Sequence, residues 1–201
     1  MRAILFYLGA REPGTGFYGA AKVASEAFCF AYRKSFDVDF VILRPSAVYG
    51  FGMQHPIFIK PMVEKTISNE PVHFAKGRDF PRDYTHVEDV VQITLRALDV
   101  ASSSLKDRIF YAATGEPLVT AGTVAEIVRT LLPNASIEIG PGLSDSDRLE
   151  ILYRGVLDIK PARYQLGYQP RYARLEDGLR EYIEAHRAYL AMSDRVDHAR
   201  S

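Results

Sequence analysis

The sequence is poor in several features by which whole classes of protein are recognised. It contains one cysteine, Cys29, in 201 residues, which excludes an internal disulfide framework and is typical of a reducing compartment such as the cytoplasm. Lys plus Arg and Asp plus Glu each number 25, so the basic excess that nucleic-acid and anionic-membrane binders usually carry is absent. No apolar run approaches the ~20 residues of a membrane-spanning helix. We therefore expect a cytoplasmic protein without a nucleic-acid or membrane partner.

The histidines do not predict a metal site. His86 stands near Glu88 and Asp89, and a cluster of these residue types can suggest a metal site. We favour a different interpretation, in which His86 stands at the entry of a helix that Glu88 or Asp89 can cap. The other four histidines are scattered without the spacing of metal ligands: His55, His73, His186 and His198.

Short apolar runs alternate with segments of helical periodicity along the chain. Strands are predicted over residues 3–8, 40–43, 71–75, 108–112 and 137–139. Helices are predicted over 18–36, 57–69 (interrupted early by Pro61), 88–98, 120–132, 158–166 and 175–192, with a polar loop over 141–148 and a polar tail over 193–201. The continuous apolar run 40–43 is typical of a parallel strand covered on both faces. The pattern predicts an α/β fold with a parallel sheet.

Tyr18 and Lys22 form the first candidate site. They are four residues apart in a predicted helix, so their side chains share one face. A tyrosine phenol ionises near pH 10, and a neighbouring cation favours the phenolate, so such a pair suits proton transfer. The chain has 12 tyrosines, and one such pair can arise by chance. Its weight therefore depends on the residues that follow.

Three stretches follow one another in a characteristic order: Gly16-Phe17-Tyr18-Gly19-Ala20-Ala21-Lys22-Val23-Ala24-Ser25-Glu26, Phe40-Val41-Ile42-Leu43-Arg44-Pro45-Ser46-Ala47-Val48-Tyr49-Gly50 and Arg82-Asp83-Tyr84-Thr85-His86-Val87-Glu88-Asp89-Val90. In this order and spacing the chain resembles the extended short-chain dehydrogenase/reductase family, the NAD-dependent epimerase/dehydratases, from about residue 16 to 190. The resemblance implies a partial doubly wound, Rossmann-like parallel sheet. It assigns about 16–50 and 82–112 to a dinucleotide-binding domain, and about 51–81 and 113–192 to a smaller, interleaved α/β substrate lobe.

The resemblance also implies roles for residues on the cofactor side. Tyr18 would be the acid/base, and Lys22 would bind the nicotinamide ribose and assist Tyr18. Pro45, Ser46 and Val48 would line the nicotinamide pocket of NAD or NADP, partly through their backbone. They follow a predicted strand, where open α/β sheets bind ligands. An ordinary turn between strand and loop is the alternative.

On the substrate side, Arg82 matches the arginine that grips the diphosphate in sugar-nucleotide members of this family. Arginine can do so through paired N–H donors. The alternative is a surface ion pair with Asp79 or Asp83, which would contribute little. Ala47 stands where many sugar-nucleotide members have asparagine, and alanine cannot hydrogen-bond the substrate there. This difference weakens the prediction of a nucleotide-sugar substrate without excluding it.

One element of the family is missing from the sequence. Binding of a dinucleotide in this fold uses a glycine-rich turn between a first strand and a helix, and an acidic residue ~20 positions further on. The nearest glycines, Gly9, Gly14 and Gly16, precede Tyr18 in a loop. The family's serine or threonine, roughly two dozen residues before the tyrosine, also has no counterpart. We therefore expect the C-terminal portion of such an enzyme, inactive as this chain alone.

Two functions remain open from the sequence. The first is an NAD(P)-dependent epimerase, dehydratase or reductase, in which Tyr18 moves the proton while a hydride passes between a small-molecule substrate and nicotinamide. The second is a non-catalytic folded remnant or interaction module.

The first predicted helix suggests a partner surface. Its apolar face is formed by residues at helical spacing, Ala21, Ala24, Phe28, Ala31 and Tyr32. The resemblance implies dimerisation through a four-helix bundle that includes this helix, with Phe28 and Tyr32 as candidates for the contact. Packing in the protein's own core explains the same face equally well. The expected partner is a second copy of the chain or a missing N-terminal half.

Overall fold

The computed structural model describes residues 3–6 and 17–200, and the chain divides into two compact units. The first unit comprises Met1–Val48, Asp83–Leu118 and Leu152–Arg171, and the second comprises Tyr49–Arg82, Val119–Ile151 and Tyr172–Ser201. The end of the first predicted strand and the glycine-containing loop fall at 7–16, outside the described residues. The assignment of the chain to a cofactor domain and a substrate lobe stays a prediction.

Strands and helices alternate along the described residues. The strands are β1 (Ala3–Phe6), β2 (Phe40–Pro45), β3 (Ala47–Tyr49), β4 (Val72–Phe74), β5 (Pro81–Arg82), β6 (Tyr84–His86), β7 (Ile109–Ala112), β8 (Val119–Thr120) and β9 (Ile137–Ile139). The helices are α1 (Phe17–Phe36), α2 (Ile59–Ile67), α3 (Val87–Asp99), α4 (Ala121–Leu131), α5 (Asp145–Glu150), α6 (Lys160–Leu166) and α7 (Leu175–Arg200). The predicted α/β class is confirmed. None of the described helices is long and apolar enough to cross a bilayer.

The first unit is built on a parallel sheet in the order β1-β2-β7. The central strand is fully buried from Phe40 to Leu43. Because side chains alternate across a strand, Val41 and Leu43 point to one face, where they pack with Ile93 of α3 and Leu166 of α6. On the other face Phe40 meets Phe30 of α1 edge to face at 5.0 Å. The prediction of a buried strand flanked by the tyrosine helix and α3 is confirmed.

The second unit holds two short sheets, parallel β4-β9 and antiparallel β5-β8. Helix α2 packs against α4 and α7. Pro61 was predicted to interrupt α2, but it occupies the first turn, where no intrahelical N–H bond is lost. On α2, Glu64 accepts hydrogen bonds from Lys60 and from the Tyr182 hydroxyl of α7. Burial opposes ionisation of Glu64, but these bonds outweigh it and lower the pKa of Glu64.

Several predicted boundaries were wrong for local reasons. The cap of α3 is His86, whose Nδ1 accepts from Glu88 N at 3.3 Å, and not Glu88 or Asp89. The predicted polar loop 141–148 contains the start of α5, because Ser144 and Asp147 form a reciprocal capping box. Helix α7 continues to Arg200 through the segment predicted as a tail. Strands of two or three residues, such as β5 and β8, are too short to show a periodicity.

The core interpretation of the apolar face on α1 was also wrong. Phe28 is 64% exposed and Tyr32 is 53% exposed, and the alanines of that face, Ala21, Ala24 and Ala31, are exposed as well. The buried residues of α1 are Gly19 and Glu26. The side of α1 that meets the sheet is therefore not its apolar side.

Candidate active site

The orientation of α1 places its first turn at the carboxyl end of the sheet. Glu26 contacts Arg44 near the end of β2, whereas Phe30 contacts Phe40 at its beginning. Helix α1 therefore runs antiparallel to β2. Tyr18 precedes Glu26 by eight residues, which is about 12 Å further along the axis at 1.5 Å per residue. It consequently lies beyond the carboxyl end of β2, the side on which open α/β sheets bind ligands.

Tyr18 and Lys22 share one face of α1, as the spacing predicts. The Lys22 ammonium nitrogen lies 5.4 Å from the centre of the Tyr18 ring. The Tyr18 side chain is 56% exposed, and Lys22 is half-buried. A solvent-accessible phenol beside an ammonium group can exchange a proton with a bound hydroxyl or carbonyl. Their catalytic role stays a prediction.

The residues after β2 are held from within the protein. Pro45 is buried at the end of the strand, and Val48 is half-buried in β3. The Ser46 hydroxyl donates to Asp83 Oδ1 at 2.7 Å and shares a 2.6 Å hydrogen bond with Thr85. The Ser46 hydroxyl is thereby engaged inside the first unit, and the role of Pro45, Ser46 and Val48 in lining a nicotinamide pocket stays a prediction. The backbone N–H of Ala47 likewise donates to the carbonyl of Asp83 at 3.2 Å.

Asp83 is the centre of this network and was not singled out from the sequence. Its carboxylate is buried and accepts from the hydroxyls of Ser46, Thr85 and Thr114, and from Thr114 N–H. A buried carboxylate needs such partners to remain in the protein interior. The network ties the segments after β2 and β7 to β6 at the carboxyl edge of the sheet. The side chain of Asp83 is therefore engaged in this network and is not an ion-pair partner of Arg82.

Arg82 belongs to the second unit, and neither predicted acidic partner holds it. Asp79 accepts from the backbone N–H of Gly142 at 2.8 Å. The Arg82 guanidinium lies over the Phe80 ring at 4.7 Å and 3.9 Å from a carboxylate oxygen of Glu150. Its side chain is largely buried. The role of Arg82 in gripping a diphosphate stays a prediction.

A second charged pair, Glu26 and Arg44, also escaped the sequence interpretation. Arg44 Nε and Nη2 donate to the two carboxylate oxygens of Glu26 at 2.9 and 2.6 Å, and the guanidinium lies 5.9 Å from the Tyr111 ring centre. The hydrogen bond to Glu26 raises the pKa of Arg44 above its already high ordinary value. The available signal was a lone arginine at the end of an apolar strand.

No group of three or more metal-ligating side chains occurs within residues 3–6 and 17–200. Independently of this, the phenol of Tyr18 and the ammonium group of Lys22 are groups that suit acid/base chemistry on a bound small molecule.

Comparison with known proteins agrees with these features. A model of the NAD dependent epimerase/dehydratase family matches residues 11–113, just over half of the chain. The UDP-glucose 4-epimerase of Mycolicibacterium smegmatis is 31% identical over 175 residues, covering 83% of this chain and 51% of the relative. The chain spans about half the length of the curated relatives it matches.

Solved structures show the same fold. A UDP-glucose 4-epimerase from Thermotoga maritima, with UDP-glucose, superposes with a TM-score of 0.75 at 22% identity, covering 94% of this chain and 64% of that one. MoeE5 in complex with UDP-glucose and NAD superposes with a TM-score of 0.72 at 25% identity, covering 94% of this chain and 66% of that one. The Rossmann-like character of the sheet is thereby confirmed.

Proposed function

Because the chain belongs to the NAD-dependent epimerase/dehydratase family, we propose that it supplies the catalytic helix and the nicotinamide side of an enzyme acting on a nucleotide sugar. The observation that carries the proposal is the Tyr18–Lys22 pair beyond the carboxyl end of β2. The substrate class is suggested by relatives named as UDP-glucose 4-epimerases. NAD is suggested by the complex of MoeE5 with UDP-glucose and NAD.

The residues present fit the nicotinamide end of NAD. An exposed phenol and a half-buried ammonium group offer donors for ribose hydroxyls, and the segment after Pro45 follows the carboxyl end of β2. When bound, NAD takes up a hydride and returns it. We expect this chain to lack the glycine-rich turn that would hold the pyrophosphate, so the proposal assigns it one end of the cofactor.

In the proposed reaction Tyr18 moves the proton. As a phenolate, Tyr18 accepts the proton of a sugar hydroxyl when that carbon is oxidised, and the resulting phenol returns the proton when the carbonyl is reduced. Lys22 orients the nicotinamide ribose and stabilises negative charge on the Tyr18 oxygen. Pro45, Ser46 and Val48 exclude water from the nicotinamide face. These roles follow the resemblance and the positions of the residues on the sheet edge.

Two residues would face the substrate in this proposal. Arg82 would pair with the diphosphate through two N–H donors, and its stacking on Phe80 would limit the orientations of the guanidinium. Ala47 offers no polar side-chain atom, so the sugar would be oriented by other groups. We therefore propose a nucleotide sugar as the substrate class without choosing the sugar.

The test joins the chain to the part of a relative that holds the glycine-rich turn. A fusion protein places the N-terminal half of the Mycolicibacterium smegmatis UDP-glucose 4-epimerase before residues 1–201. We expect it to bind NAD and to interconvert C4 epimers of a UDP-sugar, because it would contain both ends of the cofactor site. Chromatography of UDP-glucose and UDP-glucuronic acid incubations measures the products.

NAD binding by the fusion protein is the control for correct folding. A fusion protein that binds NAD but converts no nucleotide sugar would contradict the catalytic proposal. That result would favour the non-catalytic interaction module. The intact Mycolicibacterium smegmatis enzyme, assayed under the same conditions, gives the reference rate of epimer formation.

We further propose that two copies of the chain associate through the exposed face of α1. Phe28 and Tyr32 are aromatic and exposed on that face, and a central aromatic residue often carries much of the binding energy of an interface. Phe28→Glu should weaken the dimer by at least about thirtyfold, because a charge would be buried without a partner. Sedimentation equilibrium over a concentration series measures the dissociation constant.

Tyr164→Glu is the matched control for this substitution. Tyr164 is an exposed aromatic residue on α6, away from the face of α1, and its replacement should leave the dissociation constant unchanged. A wild-type chain that stays monomeric at high concentration, or equal effects of both substitutions, would contradict the proposed dimer surface.

A further inference from the structure

The two sides of α1 differ in a way that hydrophobic burial does not explain. Ala24 and Phe28 each lie two residues from Glu26, which is about 200° around a helix of 3.6 residues per turn. The apolar side is thus nearly opposite to the side that meets β2. Burial of apolar surface is the dominant favourable term in packing a helix on a sheet. On that term alone, α1 would be rotated by about half a turn.

The Glu26–Arg44 pair opposes that rotation. Arg44 follows Phe40 and Ile42 on the face of β2 that carries α1, because side chains alternate along a strand. Nε and Nη2 of the Arg44 guanidinium donate to the two carboxylate oxygens of Glu26. The side chain of Arg44 is 26% exposed and that of Glu26 is 11% exposed. A bidentate pair of this kind adds geometric specificity as well as energy. Stacking on Tyr111 further limits where the guanidinium can lie.

We propose that Glu26 and Arg44 are positioning residues, which set the rotation of α1 about its axis and thereby aim Tyr18 and Lys22 at the carboxyl edge of the sheet. Lys22 lies four residues and Tyr18 eight residues before Glu26, about 40° and 80° around the helix. Both therefore stay within a quarter turn of the side that the ion pair holds inward. After a half-turn rotation both would face away from the sheet. The consequence for catalysis rests on the function proposed above, whereas the rotation itself does not.

The chain contains its own reporter for the rotation. Cys29 is the only cysteine in the sequence, and it is half-buried three residues after Glu26, on the side facing the sheet. Burial raises the pKa of the Cys29 thiol, and the charge of Glu26 adds to this effect. A half-turn of α1 would carry the thiol into solvent. The rate of alkylation by iodoacetamide therefore reports which side of α1 faces the sheet.

The test compares Arg44→Met with Arg108→Met in the 201-residue chain. Arg108 forms an ion pair with Asp39 at 2.7 Å, where β2 and β7 begin, whereas Arg44 lies near the end of β2. Loss of the Arg108–Asp39 pair is therefore the matched control. In Arg44→Met, Cys29 should be alkylated at least about fivefold faster across the pH profile, because access increases when the thiol leaves the packed side. The Tyr18 ring resonance, assigned by difference with Tyr18→Phe, should shift in the same variant. Arg108→Met should change neither.

Two further variants keep the test decisive if Arg44→Met does not fold. Arg44→Lys retains the charge but loses the fork, so Cys29 protection should fall between that of the wild type and Arg44→Met. The exchange Glu26→Arg with Arg44→Glu should restore protection. The proposal would be overturned if Cys29 in folded Arg44→Met or Arg44→Lys were alkylated as slowly as in the wild type. It would also be overturned if Arg108→Met accelerated the alkylation of Cys29 as much as Arg44→Met does. Because no cofactor or turnover is needed, an inactive fusion protein would contradict the proposed function and leave this result standing.

Discussion

Tyr18→Phe should lower the kcat of the fusion protein by about a thousandfold, within the range that a positioned general acid/base contributes. Phenylalanine keeps the ring beside Lys22 but removes the atom that would carry the proton. The KM for the nucleotide sugar should change little, because the missing hydroxyl acts mainly in the transition state. Initial rates of epimer formation over a substrate series separate the two parameters.

Tyr32→Phe is the control for this substitution. Tyr32 lies on the same helix and is exposed to nearly the same extent as Tyr18, 53% against 56%, but it belongs to the outward face. Its replacement should leave kcat unchanged. If the Tyr18→Phe protein retained most of its kcat, the proposed acid/base role of Tyr18 would be wrong. The roles proposed for the other residues would not be affected by that result.

The position of the Tyr18–Lys22 pair could be predicted from the sequence because its signals are local. A helical spacing of four residues puts the two side chains together, and a continuous apolar run marks β2 as a covered strand. Pro45 then ends the strand, since proline cannot donate to the sheet. Each of these signals lies within a few residues of the feature that it predicts.

The rotation of α1 could not be predicted in the same way. Periodicity identifies an apolar face but does not say whether the chain's own sheet or another molecule covers it. The contact that we propose to decide the rotation joins Glu26 to Arg44, 18 residues apart, and nothing in the local sequence pairs these two residues. A partly buried ion pair between two elements leaves no periodic trace.

The network around Asp83 shows a second limit of sequence reasoning. Asp83 was considered only as an alternative partner for its neighbour Arg82. Besides nearby Thr85, its partners are Ser46 and Thr114, which are 37 and 31 residues away. They meet because the ends of parallel strands converge on one edge of the sheet, which is a property of the fold rather than of the local sequence.

Residues 1–201 alone should not bind NAD or NADP with a dissociation constant below about 1 mM, which corresponds to roughly 4 kcal/mol. Dinucleotide affinity in this fold depends on N–H groups of a glycine-rich turn at a helix N-terminus, which hold the pyrophosphate. The glycines before Tyr18, Gly9, Gly14 and Gly16, lead into the helix that carries Tyr18, so we expect them to serve that helix rather than a pyrophosphate. The contacts left to Tyr18, Lys22 and the segment after Pro45 involve only the nicotinamide end.

Isothermal titration of the chain with NAD and with NADP measures this expectation, and the fusion protein titrated under the same conditions is the control. The fusion protein should bind at least about a hundredfold more tightly, since restoring the pyrophosphate contacts adds several charge-assisted hydrogen bonds. Addition of the separately produced N-terminal half should also bring binding to the mixture if the two parts assemble. Micromolar binding by the isolated chain, shown to be monomeric by sedimentation, would mean that the nicotinamide side suffices and that the pyrophosphate argument is wrong for this protein.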